Sequence, residues 1–174
     1  GITMSFNILE TIAANLVAEY PETQAWSDSS FNWIRTLPPA SKGAIGRNLA
    51  SGLLQQYGLT VTARRGLLRV HGLRISVKTS LMWGAGTIKF QNIRDTNFDF
   101  VLCLGIYPHK AYGWLAPKNE IWADGRIRSD RPGVTKQHKG ADAWIDVDPD
   151  SVQGWLKPYG GTIDAMIKVA KVSL

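Results

Sequence analysis

The chain has 174 residues, 44% of them hydrophobic and 20% charged, one cysteine and a formal net charge of +6. These are ordinary values for a soluble globular chain able to bury its own core as one domain, and a single cysteine excludes an intrachain disulfide framework. No apolar run is long enough to predict a membrane span, nothing reads as a signal peptide, and the expected compartment is the cytoplasm.

The charge is segregated. Residues 1–28 carry four acids and no Lys or Arg, residues 29–94 carry ten Lys/Arg and no acid, and residues 95–174 carry ten of each. A basic block without acids is the electrostatic footprint of a polyanion partner, and it points to DNA or RNA.

In chain order, Asn7 and Glu10 form a capping-box-like start, and Leu9, Ile12, Ala13, Leu16, Val17 and Tyr20 keep helical spacing until Pro21. Residues 21–40 read as a loop anchored by Trp26, Phe31, Trp33, Ile34 and Leu37. Ser41 is the expected N-cap of a second helix that ends near Gly58. Its first turn, Ser41-Lys42-Gly43 with Gly46, fits either a phosphate approached by backbone or close helix packing. Leu59–Thr62 predicts a short strand. Leu68 and Val70, then Leu73, Ile75 and Val77, predict a hairpin turning at His71-Gly72. Phe98–Ile106 is nearly all apolar and predicts a strand buried on both faces, with Cys103 as a reduced, buried thiol. Tyr112–Ala116 predicts another strand, Lys118–Trp122 a short helix, Trp144–Val147 a late strand, and Thr162 onward a final helix with Ile163, Met166, Ile167 and Ala170 on one face. Residues 123–142 read as a long basic loop. The order predicts an α/β fold with a mixed sheet.

A metal-dependent phosphodiesterase needs two or three clustered carboxylates for Mg²⁺, and often a lysine that orients the attacking water. The segment Ser76-Val77-Lys78-Thr79-Ser80 follows a hairpin; Lys42–Gly46 opens the helix before it; Phe90–Asp95, Phe98–Ile106 and Gly113–Ile121 follow it. In this order the motifs resemble the PD-(D/E)xK nuclease superfamily, the restriction-endonuclease-like proteins. The resemblance spans about residues 31–122, and more weakly Tyr159–Ile163. It implies an αβββαβ core in which a mixed central sheet is flanked by helices, preceded by an N-terminal helix and loop (1–30) and followed by the basic loop, late strand and C-terminal helix (123–174).

The departures from the family pattern decide the expected chemistry. The acid positions that the resemblance implies are occupied by Arg47 on the helix, Leu68 (within Leu67–Arg69) on the first hairpin arm and Ser76 on the second. Only Lys78 matches, with Gln91 as a further polar member of a vestigial site. A guanidinium in a metal site substitutes for the cation's charge; it holds a phosphate but generates no metal-bound hydroxide. The expectation is therefore a DNA-binding protein or subunit without its own hydrolysis and without a cofactor. Lys42, Arg47, Arg64, Arg65, Arg69, Arg74, Lys78 and Lys89 are the expected phosphate partners. Arg126, Arg128, Lys136 and Lys139 on the loop are groove candidates, and Gln91 and Asn92 have side chains for base edges.

Two alternatives stand beside this. One is an active Mg²⁺-dependent endonuclease whose acids come from atypical positions, Asp95 and Asp99 being nearest, or from a partner subunit. The other is a protein-interaction module. A homo-dimer, or a hetero-oligomer with an active nuclease subunit, fits the degenerate site, and no membrane partner is expected. Asp142, Asp146, Asp148 and Asp150 read as a solvated edge rather than a metal cluster, and His71, His109 and His138 lack zinc spacing. Trp83, followed by Gly84 and Gly86, is a candidate for stacking or an interface, with core packing as the alternative.

Overall fold

A computed structural model describes residues 4–83, 86–123, 126–129 and 143–174. Lys136, Lys139, His138, Asp142 and the Gly84 beside Trp83 lie outside these. The helices are α1 (Met4–Leu16), α2 (Pro21–Trp26), α3 (Pro39–Gln56), α4 (Lys118–Ile121) and α5 (Ile163–Ser173). The strands are β1 (Thr62–Arg64), β2 (Leu67–Val70), β3 (Leu73–Leu81), β4 (Ile88–Phe90), β5 (Phe100–Ile106), β6 (Ala111–Pro117), β7 (Arg128–Ser129), β8 (Ala143–Val147) and β9 (Gly160–Thr162).

Six strands form a mixed sheet in the order β1-β2-β3-β5-β6-β9. Only β3 and β5 run parallel, and every other pairing is antiparallel. The hairpins are set by turn chemistry: Arg65-Gly66 and His71-Gly72 both adopt the paired positive φ of tight two-residue turns. A three-stranded sheet, β4-β8-β7, lies apart from the six.

The period of two along each strand divides the core. Leu68, Val70, Ile75, Leu102, Leu104, Ile106 and Leu115 point one way, to Trp26, to Ala50 and Leu54 of α3, and to Met166, Ile167 and Ala170 of α5. Val101, Cys103, Trp114 and Ala116 point the other way, to Ile88 and Phe90 of β4, Ile145 and Val147 of β8, and the buried Ile93 and Phe98. The central sheet thus separates a helical layer from a layer built on the small sheet. β5 is buried on both faces, as its apolar run predicts.

Several expectations are corrected. α1 begins at Met4, so Asn7 is interior, and its carbonyl accepts from Thr11 Oγ1 at 3.1 Å rather than Asn7 capping the end. The 3.6-residue period suggests a buried stripe, yet no residue of α1 is buried. α3 starts at Pro39, because proline's fixed φ suits the first helical turn, and Ser41 lies inside it. β1 lies three residues later than predicted. Between the parallel strands β3 and β5, where an αβββαβ core has a helix, the described residues place β4 and the irregular stretch 91–99. Ile88 and Phe90 alternate as a strand does, and the absent side chain at Gly105 leaves Ile88 its seat: a Cβ there would lie 2.7 Å from Ile88 Cδ1. Among the described residues, no helix is long and apolar enough to cross a membrane.

A cation-lined cleft beside strand β3

Alternation puts Arg74, Ser76 and Lys78 on the face of β3 away from α3. The parallel register seats Ser76 beside Val101 and Lys78 beside Cys103. Leu67 and Arg69 on β2 share that face, because Leu68 and Val70 take the helical side. At this end the small sheet does not close over the strands. A cleft of about 420 Å³ remains, lined by Gly66, Leu67, Ser76, Lys78, Asn92 and Arg94, with Phe98 and Val101 in its apolar wall. None of its described lining residues carries a carboxylate.

Lys78 is half-buried here. Its pKa is lowered, first because burial penalises the charged ammonium, and further because the cations of Arg94 and Arg47 are near. Cys103 opposes this only as a thiolate, and burial pushes that thiol up to about 12, so it is neutral at physiological pH. Arg69 adds another guanidinium on the same face; its buried Nε has no hydrogen-bond partner among the described residues. Arg64 and Arg65 are exposed at the β1–β2 turn, next to Gly66 at the cleft edge.

The other expected site residues are elsewhere. Leu68 is buried against the helices, so the hairpin position beside Ser76 on the cleft face is Leu67. Gln91 is exposed and does not line the cleft; Asn92, in the left-handed region at φ 59°, does. Lys42 lies within the first turn of α3. Lys89 sits in the small sheet with its Nζ 4.0 Å from the centre of the Trp144 ring. Arg74 is committed to Asp99, which accepts from Arg74 N at 2.8 Å, Nε at 3.2 Å and a terminal guanidinium nitrogen at 3.2 Å.

Gly46 supports the close-packing reading of the α3 start. A Cβ there would lie 2.1 Å from Thr79 Oγ1 and 2.8 Å from Thr79 Cβ, so the glycine exists for close passage of α3 over β3. Arg47, the next residue, lies near enough for its cation to act on Lys78, but it does not line the cleft. Sequence reading missed Arg94 as a site member; its signal was the acid-free block that it closes.

The atypical acids do not reach Lys78. Asp95 pairs with Lys118 at 2.9 Å, and Lys118 also donates to the Thr96 carbonyl. Asp99 precedes β5 by one residue, four residues along the ladder from Cys103, which is about 13 Å at ordinary strand rise. Its pKa is lowered by the hydrogen bonds from the Arg74 side chain and backbone. A depressed carboxylate pKa contributes stability that is complete above the group's ordinary value of about 4 and is lost as pH falls through the lower folded value. Asp99→Asn is therefore expected to be less stable than the parent at neutral pH, with the gap closing below about pH 4. Urea unfolding at pH 7 and pH 3 checks this, and a gap that widens in acid contradicts it.

Asp146 accepts from Trp144 Nε1 at 3.2 Å and pairs with Arg128 at 3.4 Å, while Asp148 accepts from the Asp150 backbone at 2.9 Å in a local turn. Among the described residues no group of three or more His, Cys, Asp or Glu is placed to hold a metal. Trp83 is 47% exposed, which overturns its core-packing reading; it lines a separate cavity of about 510 Å³ with Tyr107 and Tyr112.

No family model, curated protein or solved structure matches the chain. What defines the molecule is its own geometry: a mixed α/β fold, with a six-stranded sheet that carries beside its parallel pair a cationic cleft free of carboxylates among the described residues.

Proposed function

We propose that this chain is a DNA-binding protein on a degenerate PD-(D/E)xK-like scaffold, holding backbone phosphates at the Lys78 cleft without metal-dependent hydrolysis of its own. One observation carries the reading: Lys78 and Arg94 line a cleft whose described lining has no carboxylate, with the Arg47 cation near enough to act on Lys78. Mg²⁺ requires oxygen donors with negative charge and near-octahedral order. The cleft offers a serine hydroxyl, an amide and cations, a donor set that suits an anion and does not fit Mg²⁺. Arg64, Arg65 and Arg69 extend the positive surface along the hairpin, so a phosphate backbone can run from the β1–β2 turn to Arg94.

Titrating labelled duplex DNA tests this. With about four phosphates neutralised, a fourfold rise in salt weakens binding about 100-fold. The same samples stay uncut in Mg²⁺ or Mn²⁺. Ser76→Glu also leaves the duplex uncut, because one carboxylate among these cations does not hold the metal. Salt-insensitive binding removes the phosphate reading, and cleavage by either protein removes the non-hydrolytic one.

A further inference from the structure

A lysine serving only as a countercharge is best placed where its ammonium stays hydrated, and guanidiniums already supply permanent charge here. Lys78 instead sits half-buried, and among the described residues it makes no ion pair. Its neighbours are the cations of Arg94 and Arg47, with neutral Ser76, Asn92 and Cys103 around it. Crowding by cations and loss of hydration both favour the free amine, the form that attacks carbonyl carbon.

We propose that Lys78 is a nucleophile that captures an aldehyde flanked by phosphates, the baseless deoxyribose of an abasic DNA site, as an imine. This rests on the DNA-binding reading above and adds the substrate class of the same cleft. A cleft of about 420 Å³ admits a sugar that has lost its base. Arg94 lines the cleft beside Lys78, and its planar guanidinium suits a flanking phosphate. The Nζ lone pair attacks C1′ of the ring-opened sugar and forms the C–N bond. The carbonyl oxygen then leaves as water, taking the two amine protons, and no external oxidant, reductant or metal is needed.

The test is reductive trapping on the full chain. The probes are a duplex with one abasic site and the same duplex with a tetrahydrofuran residue, which has the gap but no aldehyde. Sodium borohydride supplies hydride to the imine carbon, and water protonates the nitrogen, leaving a stable secondary amine. The expected result is a covalent adduct with the abasic duplex alone, mapped by peptide mass spectrometry to Lys78. Lys78→Arg removes the nucleophilic amine: adduct per bound abasic duplex falls at least about 30-fold, while Lys89→Arg, which alters a lysine on the Trp144 ring in the other sheet, leaves that yield within about 3-fold. Binding of the tetrahydrofuran duplex without an abasic adduct overturns this inference and leaves the DNA-binding reading standing. An adduct at another lysine, or one that survives in Lys78→Arg, overturns it too. If Lys78 is trapped by pyridoxal 5′-phosphate but not by the abasic duplex, the abasic-sugar assignment fails, and duplex binding alone decides the DNA-binding reading. No binding of either duplex overturns both readings together.

Discussion

Arg47→Glu combined with Arg94→Glu is expected to lower duplex affinity at least about 100-fold at low salt and to flatten the dependence of log K on log salt by about 2. Two phosphate contacts are lost, and two carboxylates then repel the backbone at the same places. The controls come from the structure rather than from charge counting. Arg74 and Lys89 belong to the same acid-free block, but Arg74 is already neutralised by Asp99 and Lys89 lies on the Trp144 ring in the other sheet. Arg74→Gln and Lys89→Gln should each shift affinity by less than about 3-fold. Equal losses from all four positions would mean that the basic block binds diffusely and that the cleft has no special part.

The second large effect concerns the edge that closes the sheet. Gly160 pairs opposite Trp114 at φ +154°, and a Cβ there would lie 2.1 Å from the Gly113 carbonyl oxygen and 2.9 Å from Trp114 Cα. Both obstacles are backbone of β6, so no side-chain rotation relieves them. Gly160→Ala is expected to cost about 3 kcal/mol, and so to lower Tm by about 6–12 °C in a domain of this size. Gly154→Ala, where an added Cβ meets nothing within 4 Å, should leave Tm within about 1 °C. Thermal unfolding of the two variants decides it; a Gly160→Ala protein as stable as the parent would mean that β9 does not pair as described.

Particular residues show why the sequence is legible in some places and mute in others. The His71-Gly72 hairpin was readable because a two-residue turn needs positive φ and glycine supplies it. The buried strand β5 was readable because a strand covered on both faces leaves no polar alternation. The helix α5 kept its apolar face, and Thr162 accepts from Ala165 N at 3.1 Å as its cap. The α1 stripe misled, since periodicity reports an amphipathic surface and says nothing of a partner. β4 was hidden because three residues give too short an alternation, and its place depends on the gap at Gly105, far away in sequence. For the site, the shift from Leu68 to Leu67 follows from strand parity, which is lost when the register is off by one. Arg74 was read as a phosphate partner because the sequence does not reveal Asp99, 25 positions on, lying beside it.

The most direct test of the central claim locates the nucleic acid on the protein. A short duplex titrated into ¹⁵N-labelled chain at low salt should move the backbone amide signals of Gly66, Ser76, Lys78, Asn92 and Arg94 together. Those of Lys89 and of Tyr107–Tyr112 should stay in place. Shifts confined to the Tyr107–Tyr112 cavity, or spread evenly over the basic residues, would contradict a phosphate site built around Lys78.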